Sequence, residues 1–160
     1  MVFMLKSALK KLVGSPTEIH SYSTLRLQAK TYRLVKNFLQ PILKKNKLTS
    51  LDWCLLGLLF QNPDGLRFIE ISHQMGVEPP FITELAVNIK KKGYIDIVDH
   101  PDDRRAKIVL LSAKGKQLIE SLEPELKNRL DELKIGISSR ENETYFNVMI
   151  RLIENIAEQK

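Results

Sequence analysis

The sequence predicts a mainly α-helical protein with one small β-hairpin. Apolar residues recur at helical spacing over most of the 160 residues, and capping residues, prolines and glycines divide this pattern into separate helices. Residues 94–111 instead alternate with the period of a β-strand on both sides of a polar turn. The composition, 43% hydrophobic and 28% charged, is that of a globular domain, and no apolar run approaches the roughly 18 residues of a membrane span. We therefore expect one foldable protomer without a transmembrane segment.

The first 45 residues predict a basic amphipathic segment and then a long helix. Residues 1–13 mix apolar side chains with three lysines, which excludes the apolar core of a signal peptide. We interpret this segment as a helical arm that packs on a second subunit; a membrane-surface helix or an organelle presequence is the alternative. Ser15-Pro16-Thr17-Glu18 predicts the start of a helix over about 16–45, which Pro41 should kink or end early.

The second helix is predicted to be short and buried. Thr49-Ser50-Leu51-Asp52 resembles a capping box with aspartate in place of the usual glutamate, and residues 53–60 are apolar nearly all round. A turn at 62–65 ends the helix. Cys54 lies within it and is the single cysteine, so an intrachain disulfide is excluded and a reducing compartment fits. Core packing is the main interpretation of this thiol, and oxidant sensing is the alternative.

Two short helices of similar length come next. The first covers about 69–75 and ends at Gly76. The second begins at Pro79-Pro80, where a missing N–H does no harm, and ends in the lysines 90–92 before Gly93. We interpret these lysines as a solvated helix terminus. Two helices joined by a tight glycine turn are typical of a helix-turn-helix.

A charged hairpin follows the second of these helices directly. Strands are predicted over 94–98 and 106–111, with Ile108 and Leu110 on the apolar face of the second strand against Lys107 and Val109. The turn between them, residues 100–105, is polar. Helix-turn-helix and hairpin together predict a winged helix-turn-helix.

The C-terminal third is helical again. Leucines recur through residues 118–133, Pro124 predicts a kink, and Ile135-Gly136 marks a break before a last helix capped by Ser138 or Ser139. A monomer of this size cannot bury every apolar face of its terminal helices, so we expect a helical dimer interface. The predicted organisation is dimerisation helices at 1–47, a winged helix-turn-helix core at 48–112 and further dimerisation helices at 113–160, in one protomer. The apolar face of the last helix comprises Tyr145, Val148, Met149, Leu152, Ile153 and Ile156.

The net charge of +6 is concentrated in the first third of the chain. Residues 1–48 carry ten basic side chains and one acidic side chain, whereas residues 66–111 carry seven of each. A basic balance allows an acidic partner such as nucleic acid but does not establish one.

Three segments resemble the MarR family of bacterial and archaeal transcriptional regulators, and the likeness extends over about residues 21–156. Residues 48–53 (LTSLDW) look like the family's leucine-threonine helix start. Residues 88–95 (NIKKKGYI) look like the end of its recognition helix, and residues 99–106 (DHPDDRRA) followed by LSAKG at 111–115 look like its wing and next helix. The resemblance implies a homodimer whose two recognition helices enter successive major grooves of a pseudo-palindromic double-stranded DNA operator.

The resemblance also assigns DNA contacts. The base-facing positions would be Pro80, Phe81, Thr83, Glu84, Val87 and Asn88, of which Thr83 and Asn88 are the plausible readers. Phe81 can touch a thymine methyl group, and Glu84 can accept from cytosine but is repelled by phosphates. The alternative is a helix kept for the fold alone.

In the wing, Arg105 would insert into the minor groove, Asp103 would hold the turn and orient that arginine, and Arg104 would contact a phosphate. Lys45 and Lys47, with Lys44, are candidate phosphate contacts ahead of the second helix. The alternatives are a solvated turn and a solvated helix end.

Small-molecule effectors, which relatives often bind, would meet Tyr22, Arg26, Trp53 and His73, although Trp53 is more often a core residue. The three histidines lack ligand-like spacing, so no metal or cofactor is expected. No nucleophile, base and acid set or phosphate-binding loop appears, and we expect no enzyme activity.

We therefore predict a cytoplasmic, dimeric, sequence-specific regulator, mostly a repressor, that responds to a small molecule or another signal. The alternative is a winged-helix protein-interaction module that has lost specific DNA binding, because Glu84 and Asp96 make the reading head less basic than the family pattern. A third hypothesis gives residues 1–14 a membrane-surface role.

Overall fold

The computed structural model describes residues 20–101, 103 and 106–159. The predicted fold class, mainly α with a winged helix-turn-helix, is confirmed. Among the described residues, no helix combines the length and apolar character that crossing a membrane requires. The helices are α1 (Ser21–Lys45), α2 (Ser50–Gln61), α3 (Phe68–Met75), α4 (Pro79–Lys91), α5 (Ala113–Asp131), followed by a 3-10 turn (Glu132–Lys134), and α6 (Ser139–Glu158). The strands are β1 (Leu66–Arg67), β2 (Ile95–Asp99) and β3 (Lys107–Leu111).

Side-chain caps fix the start of two helices as predicted. Before α2, the Thr49 hydroxyl accepts from the Asp52 backbone N–H, and the Asp52 carboxylate accepts from the Thr49 N–H, both at 3.1 Å. Before α6, Ser138 and Glu141 form the same reciprocal pair.

Helix α1 begins at Ser21. His20 is extended (φ −69°, ψ 146°) and its carbonyl accepts the first helical N–H groups, so the helix predicted over 16–45 does not run unbroken through residue 20. The predicted cap at 15–18 lies outside the described residues. Pro41 lies inside α1, which continues to Lys45.

Gly76 follows the last residue of α3, and Gly93 lies in the turn after α4. Both are in the left-handed region, with φ of 62° and 78°. A side chain with a Cβ is strained there, so these glycines allow the chain to reverse. The two helices of the helix-turn-helix therefore lie within one residue of their predicted bounds.

The sheet has the order β1-β3-β2, and both pairings are antiparallel. Strand β1 was not predicted, because two residues are too few to show alternation. As the central strand, β3 pairs Val109 with both Leu66 and Ile97. Val109 is fully buried while Ile108 and Leu110 are half-buried, so the predicted inward face of β3 is off by one residue.

The chain forms two compact units. Their boundary in the sequence falls within α5, between Ile119 and Glu120. We call the first the reading unit; α2 packs there on α1, α3, α4 and β3. The expectation that α2 is buried all round is wrong, because its buried apolar residues are Leu55, Leu56 and Leu59, whereas Cys54 and Phe60 are exposed. The division into dimerisation and DNA-binding segments stays a prediction.

Candidate nucleic-acid interface

Helix α4 is anchored by one apolar face and presents the other to solvent. Ile82, Ala86 and Ile89 are fully buried and Leu85 nearly so. This spacing fixes the rotation of the helix about its axis. The opposite face carries every residue that the sequence assigned to base contact, and all of them are exposed. Those residues are Pro80, Phe81, Thr83, Glu84, Val87 and Asn88.

The polar groups on this face are mainly hydrogen-bond acceptors. The Thr83 hydroxyl donates to the Pro79 carbonyl at 3.1 Å, so its proton is used within the helix and its lone pairs remain. The Glu84 carboxylate accepts only, and the Asn88 amide both donates and accepts. In the major groove, the matching donors are the amino groups of adenine and cytosine.

The wing is closed by short-range contacts. Asp99 and Lys107 are paired across β2 and β3 and form an ion pair. The His100 N–H donates to the Ala106 carbonyl at 3.0 Å, and the Ala106 N–H donates to the Asp103 carbonyl at 2.9 Å. The backbone of Asp103 therefore holds the turn. The two arginines of the prediction, Arg104 and Arg105, lie outside the described residues.

Arg67 connects the base of the wing to the start of α3. Its guanidinium donates to Nε2 of His100 at 2.9 Å, and its N–H donates to the Glu70 carboxylate at 2.7 Å. Sequence reasoning missed the contact, because the two residues are 33 positions apart.

The basic residues at the end of α1 and α4 separate into outward and inward groups. Lys45, Lys47, Lys90 and Lys91 are exposed. Lys92 instead turns inward and pairs with the buried Asp52 at 2.8 Å. The interpretation of all three lysines at 90–92 as a solvated terminus is therefore wrong for Lys92.

A cleft of about 650 Å³ runs between α1, the start of α2 and the exposed side of α4. It brings Phe81 and Asn88 together with Lys36, which the sequence did not single out. Among the described lining residues, three lysines face one aspartate, a balance of +2. This charge favours an anion beside the exposed face of α4. No such signal was visible in the sequence, because residues 66–111 carry as many acidic as basic side chains.

The four residues predicted to bind a small molecule line neither this cleft nor a second groove of about 620 Å³ beside α2. Tyr22 and Arg26 lie exposed one turn apart on α1, and Tyr22 stacks on His20 with ring centroids 5.1 Å apart. Trp53 is half-buried on α2, and His73 is exposed in the last turn of α3.

Cys54 lines the second groove and is exposed, so the expectation of a buried core thiol is wrong. Its position on the side of α2 away from Leu55 and Leu56 explains the error. The apolar atoms around it still raise the pKa of the Cys54 thiol above its ordinary value of 9.0, which keeps it protonated near pH 7.

No protein-family model matches the sequence. The structure is similar to solved transcriptional regulators. A MarR protein from Peptoclostridium difficile superposes with a TM-score of 0.77 at 20% identity, over 91% of this chain and 96% of that one. MepR from S. aureus, solved as a DNA complex, gives 0.71 at 21% identity over 86% and 99%. NadR, solved in complex with 4-hydroxyphenylacetate, gives 0.72 at 21% identity over 88% and 97%. The chain therefore has the fold of the MarR-family transcriptional regulators.

Proposed function

We propose that this chain is a MarR-family regulator that binds double-stranded DNA as a homodimer and represses transcription. The observation that carries the proposal is α4, whose buried face fixes its rotation and whose predicted base readers are all exposed. The solved DNA complex of MepR, which has the same fold, supports DNA as the partner. Two-fold protein symmetry would match a pseudo-palindrome with half-sites about one helical turn apart.

The reading face favours particular bases. Thr83 and Glu84 offer acceptors, so we propose that they read the amino groups of adenine or cytosine, while Asn88 pairs bidentately with adenine. Phe81 is 42% exposed and is placed for a thymine methyl group. Arg105 reads the minor groove of the flanks, Arg104 and Lys47 contact phosphates, and Asp103 holds the wing turn through its carbonyl.

Exposed apolar residues on α6 support the dimer. None of its residues is buried, and Ile153 is 67% exposed. An apolar face of this length is unfavourable in water, and a second copy of the chain would bury it in a symmetric assembly.

The NadR complex with 4-hydroxyphenylacetate supports a response to a small molecule. We propose that Tyr22, Arg26, Trp53 and His73 contribute to that response in the assembled dimer, and that the protein acts without enzyme activity in the cytoplasm. In the dimer, the two winged helix-turn-helix cores can lie at different distances from each other. A ligand that binds the dimer more tightly at one of these distances shifts the population toward it.

Two substitutions test the DNA assignment. Arg105→Ala should weaken binding most on duplexes with A·T-rich flanks, because a narrow minor groove attracts arginine. Lys45→Ala should weaken all duplexes alike and lower the slope of log K against log salt by about 1. Lys30→Ala, which removes the same charge about four turns away on α1, is the matched control. Unchanged affinity and salt slope in both variants would show that the assigned face is wrong.

A second candidate function is favoured by the exposed carboxylates of Glu84 and Asp96. Both carboxylates would repel phosphates near them, and this repulsion would weaken DNA binding. In this case the winged helix is a protein-interaction module, and the protein binds DNA without sequence preference or not at all. Glu84→Gln separates the two functions. If the protein reads specific bases, the variant should lose its preference for one base at one position of the operator. If the winged helix is an interaction module, the variant should bind all duplexes more tightly and without sequence preference.

A further inference from the structure

The C-terminal exit of α4 is held by the turn between α1 and α2. The Lys92 ammonium donates to the Asp52 carboxylate at 2.8 Å and to the Lys47 carbonyl at 3.0 Å. Lys47 lies two residues after the end of α1 and has a positive φ of 55°. One side chain therefore connects the recognition helix to two residues that precede it by 40 and 45 positions.

The same exit is held from the other side by the junction between β3 and α5. Three successive carbonyls, of residues 92, 93 and 94, accept hydrogen bonds from this junction. Lys114 Nζ donates to the first at 2.8 Å, the Ser112 hydroxyl to the second at 2.7 Å and the Ser112 N–H to the third at 3.1 Å. We call residues 92–94, with Lys47, Asp52, Ser112 and Lys114, the exit clamp.

The ion pair is the charged part of the exit clamp. The Asp52 side chain is 4% exposed and also accepts from the Thr49 N–H, so its charge depends on Lys92 for compensation. A carboxylate buried to this degree is costly without a partner, and removing Lys92 leaves it uncompensated. Removing Lys92 also takes away one of the two sets of contacts that hold the exit of α4, and leaves the bonds from Ser112 and Lys114 as the other.

We infer that Lys92 and Asp52 are positioning residues for DNA reading. Helix α4 has 13 residues, so its first turn lies about 20 Å from the exit clamp. A tilt of about 5° at the clamp moves that first turn by roughly 2 Å, which is enough to break a hydrogen bond to a base. Lys92 thus acts on base recognition without touching DNA, and its charge is neutralised inside the protein.

The inference rests on the proposed function and is tested on the full-length protein. Affinity is measured for the operator duplex and for a random duplex, at several salt concentrations. Lys92→Met should lower the ratio of the two affinities about tenfold, the worth of one misaligned base contact, and leave the salt slope unchanged. Lys91→Met removes the same charge outside the clamp and should lower both affinities alike. Lys92→Arg, which keeps the ion pair, should restore most of the ratio.

Asp52→Asn separates positioning from electrostatics by the sign of its effect. Removing a negative charge strengthens binding to every duplex if charge alone matters. If Asp52 acts through the exit clamp, Asp52→Asn should instead weaken binding to the operator and lower the ratio of operator affinity to random-duplex affinity. Combining Asp52→Asn with Lys92→Met should then cause no further loss. Stronger operator binding, or additive losses, would overturn the inference.

A measurement without DNA distinguishes a failed inference from a failed proposed function. Amide hydrogen exchange over residues 89–94 should be at least tenfold faster in Lys92→Met than in Lys91→Met if the pair holds the exit. Equal protection in the two variants would overturn the inference whether or not the protein reads DNA. If the wild-type protein instead shows no preference for any duplex while exchange is still faster in Lys92→Met, the result would overturn the proposed function but not the role of the ion pair in holding the exit of α4.

Discussion

The reading unit and helix α6 differ in what covers their apolar side chains. In the reading unit, leucines and isoleucines from α1 to α4 are fully buried by one another and by the sheet. In α6 no residue is buried, although its apolar stripe runs from Tyr145 to Ile156. The reading unit thus contains its own core, whereas the apolar side chains of α6 are exposed, as the proposed dimer interface requires. Substitutions in the two regions should therefore differ in how their effects depend on protein concentration.

The largest effect is expected on α6. Ile153→Glu places a charge in the middle of the exposed apolar stripe, where a second copy would bury it. The dimer dissociation constant should rise about 100-fold or more, an effect of roughly 3 kcal/mol. Sedimentation equilibrium of the variant and wild type measures it. Asn147→Glu, on the opposite side of the same helix, is the matched control and should leave the dimer intact; a dimer equally stable with Ile153→Glu would mean that α6 is not the interface.

Two glycines in the reading unit differ in the space around them. A Cβ at Gly115 would collide with the Tyr94 carbonyl and lie 2.8 Å from Leu111 Cδ1, whereas a Cβ at Gly57 would meet nothing within 4 Å. Gly115→Ala should destabilise the protein by about 2 kcal/mol through overpacking, and Gly57→Ala should stabilise it by up to about 1 kcal/mol through helix propensity. Urea unfolding at several protein concentrations measures both. The change in the free energy of unfolding should be the same at every protein concentration for both glycine variants, in contrast to Ile153→Glu. A change of the same sign in both variants would contradict the packing described.

The smallest effect is expected at the start of α6. Ser138→Ala removes the side-chain cap and should cost about 1 kcal/mol. Hydrogen bonds from the Ser138 hydroxyl and N–H lower the pKa of Glu141 below its ordinary value of 4.5. A lowered pKa in the folded state means that this stabilisation is present above pH 4.5 and is lost as the pH falls through the folded-state value. Thermal unfolding of Ser138→Ala and wild type should differ most at pH 7 and by less at low pH, where the Ser138 hydroxyl still accepts from the Glu141 N–H but no longer meets a carboxylate. A difference that does not change with pH would show that the bond to the Glu141 carboxylate contributes nothing.

Much of the fold could be predicted because its signals are local. The cap of Thr49 and Asp52 spans three residues, and Gly76 and Gly93 mark their turns by residue type alone. Helix bounds in the reading unit accordingly follow the sequence closely. The inward face of β3 could not be predicted, since the burial of Val109 depends on a partner strand of two residues that leaves no pattern.

The candidate site was only partly predictable for the same reason. The exposed face of α4 follows from helical spacing, and the residues assigned to base contact lie on it; their contact with DNA stays a prediction. The pairing of Lys92 with Asp52 joins residues 40 positions apart, and the contact of Arg67 with His100 joins residues 33 apart. A lysine next to two other lysines carries no local sign that it turns inward. Cys54 was misassigned because an apolar sequence on all sides of α2 hides which side meets the core.

Repeated selection of bound duplexes from a random pool, with the full-length protein at near-physiological salt, asks whether the exposed face of α4 reads a specific DNA sequence as part of a dimer. We expect an enriched pseudo-palindrome with half-sites about one turn apart and with adenine or cytosine amino groups opposite Thr83 and Glu84. A folded, dimeric protein that enriches no sequence would contradict this expectation.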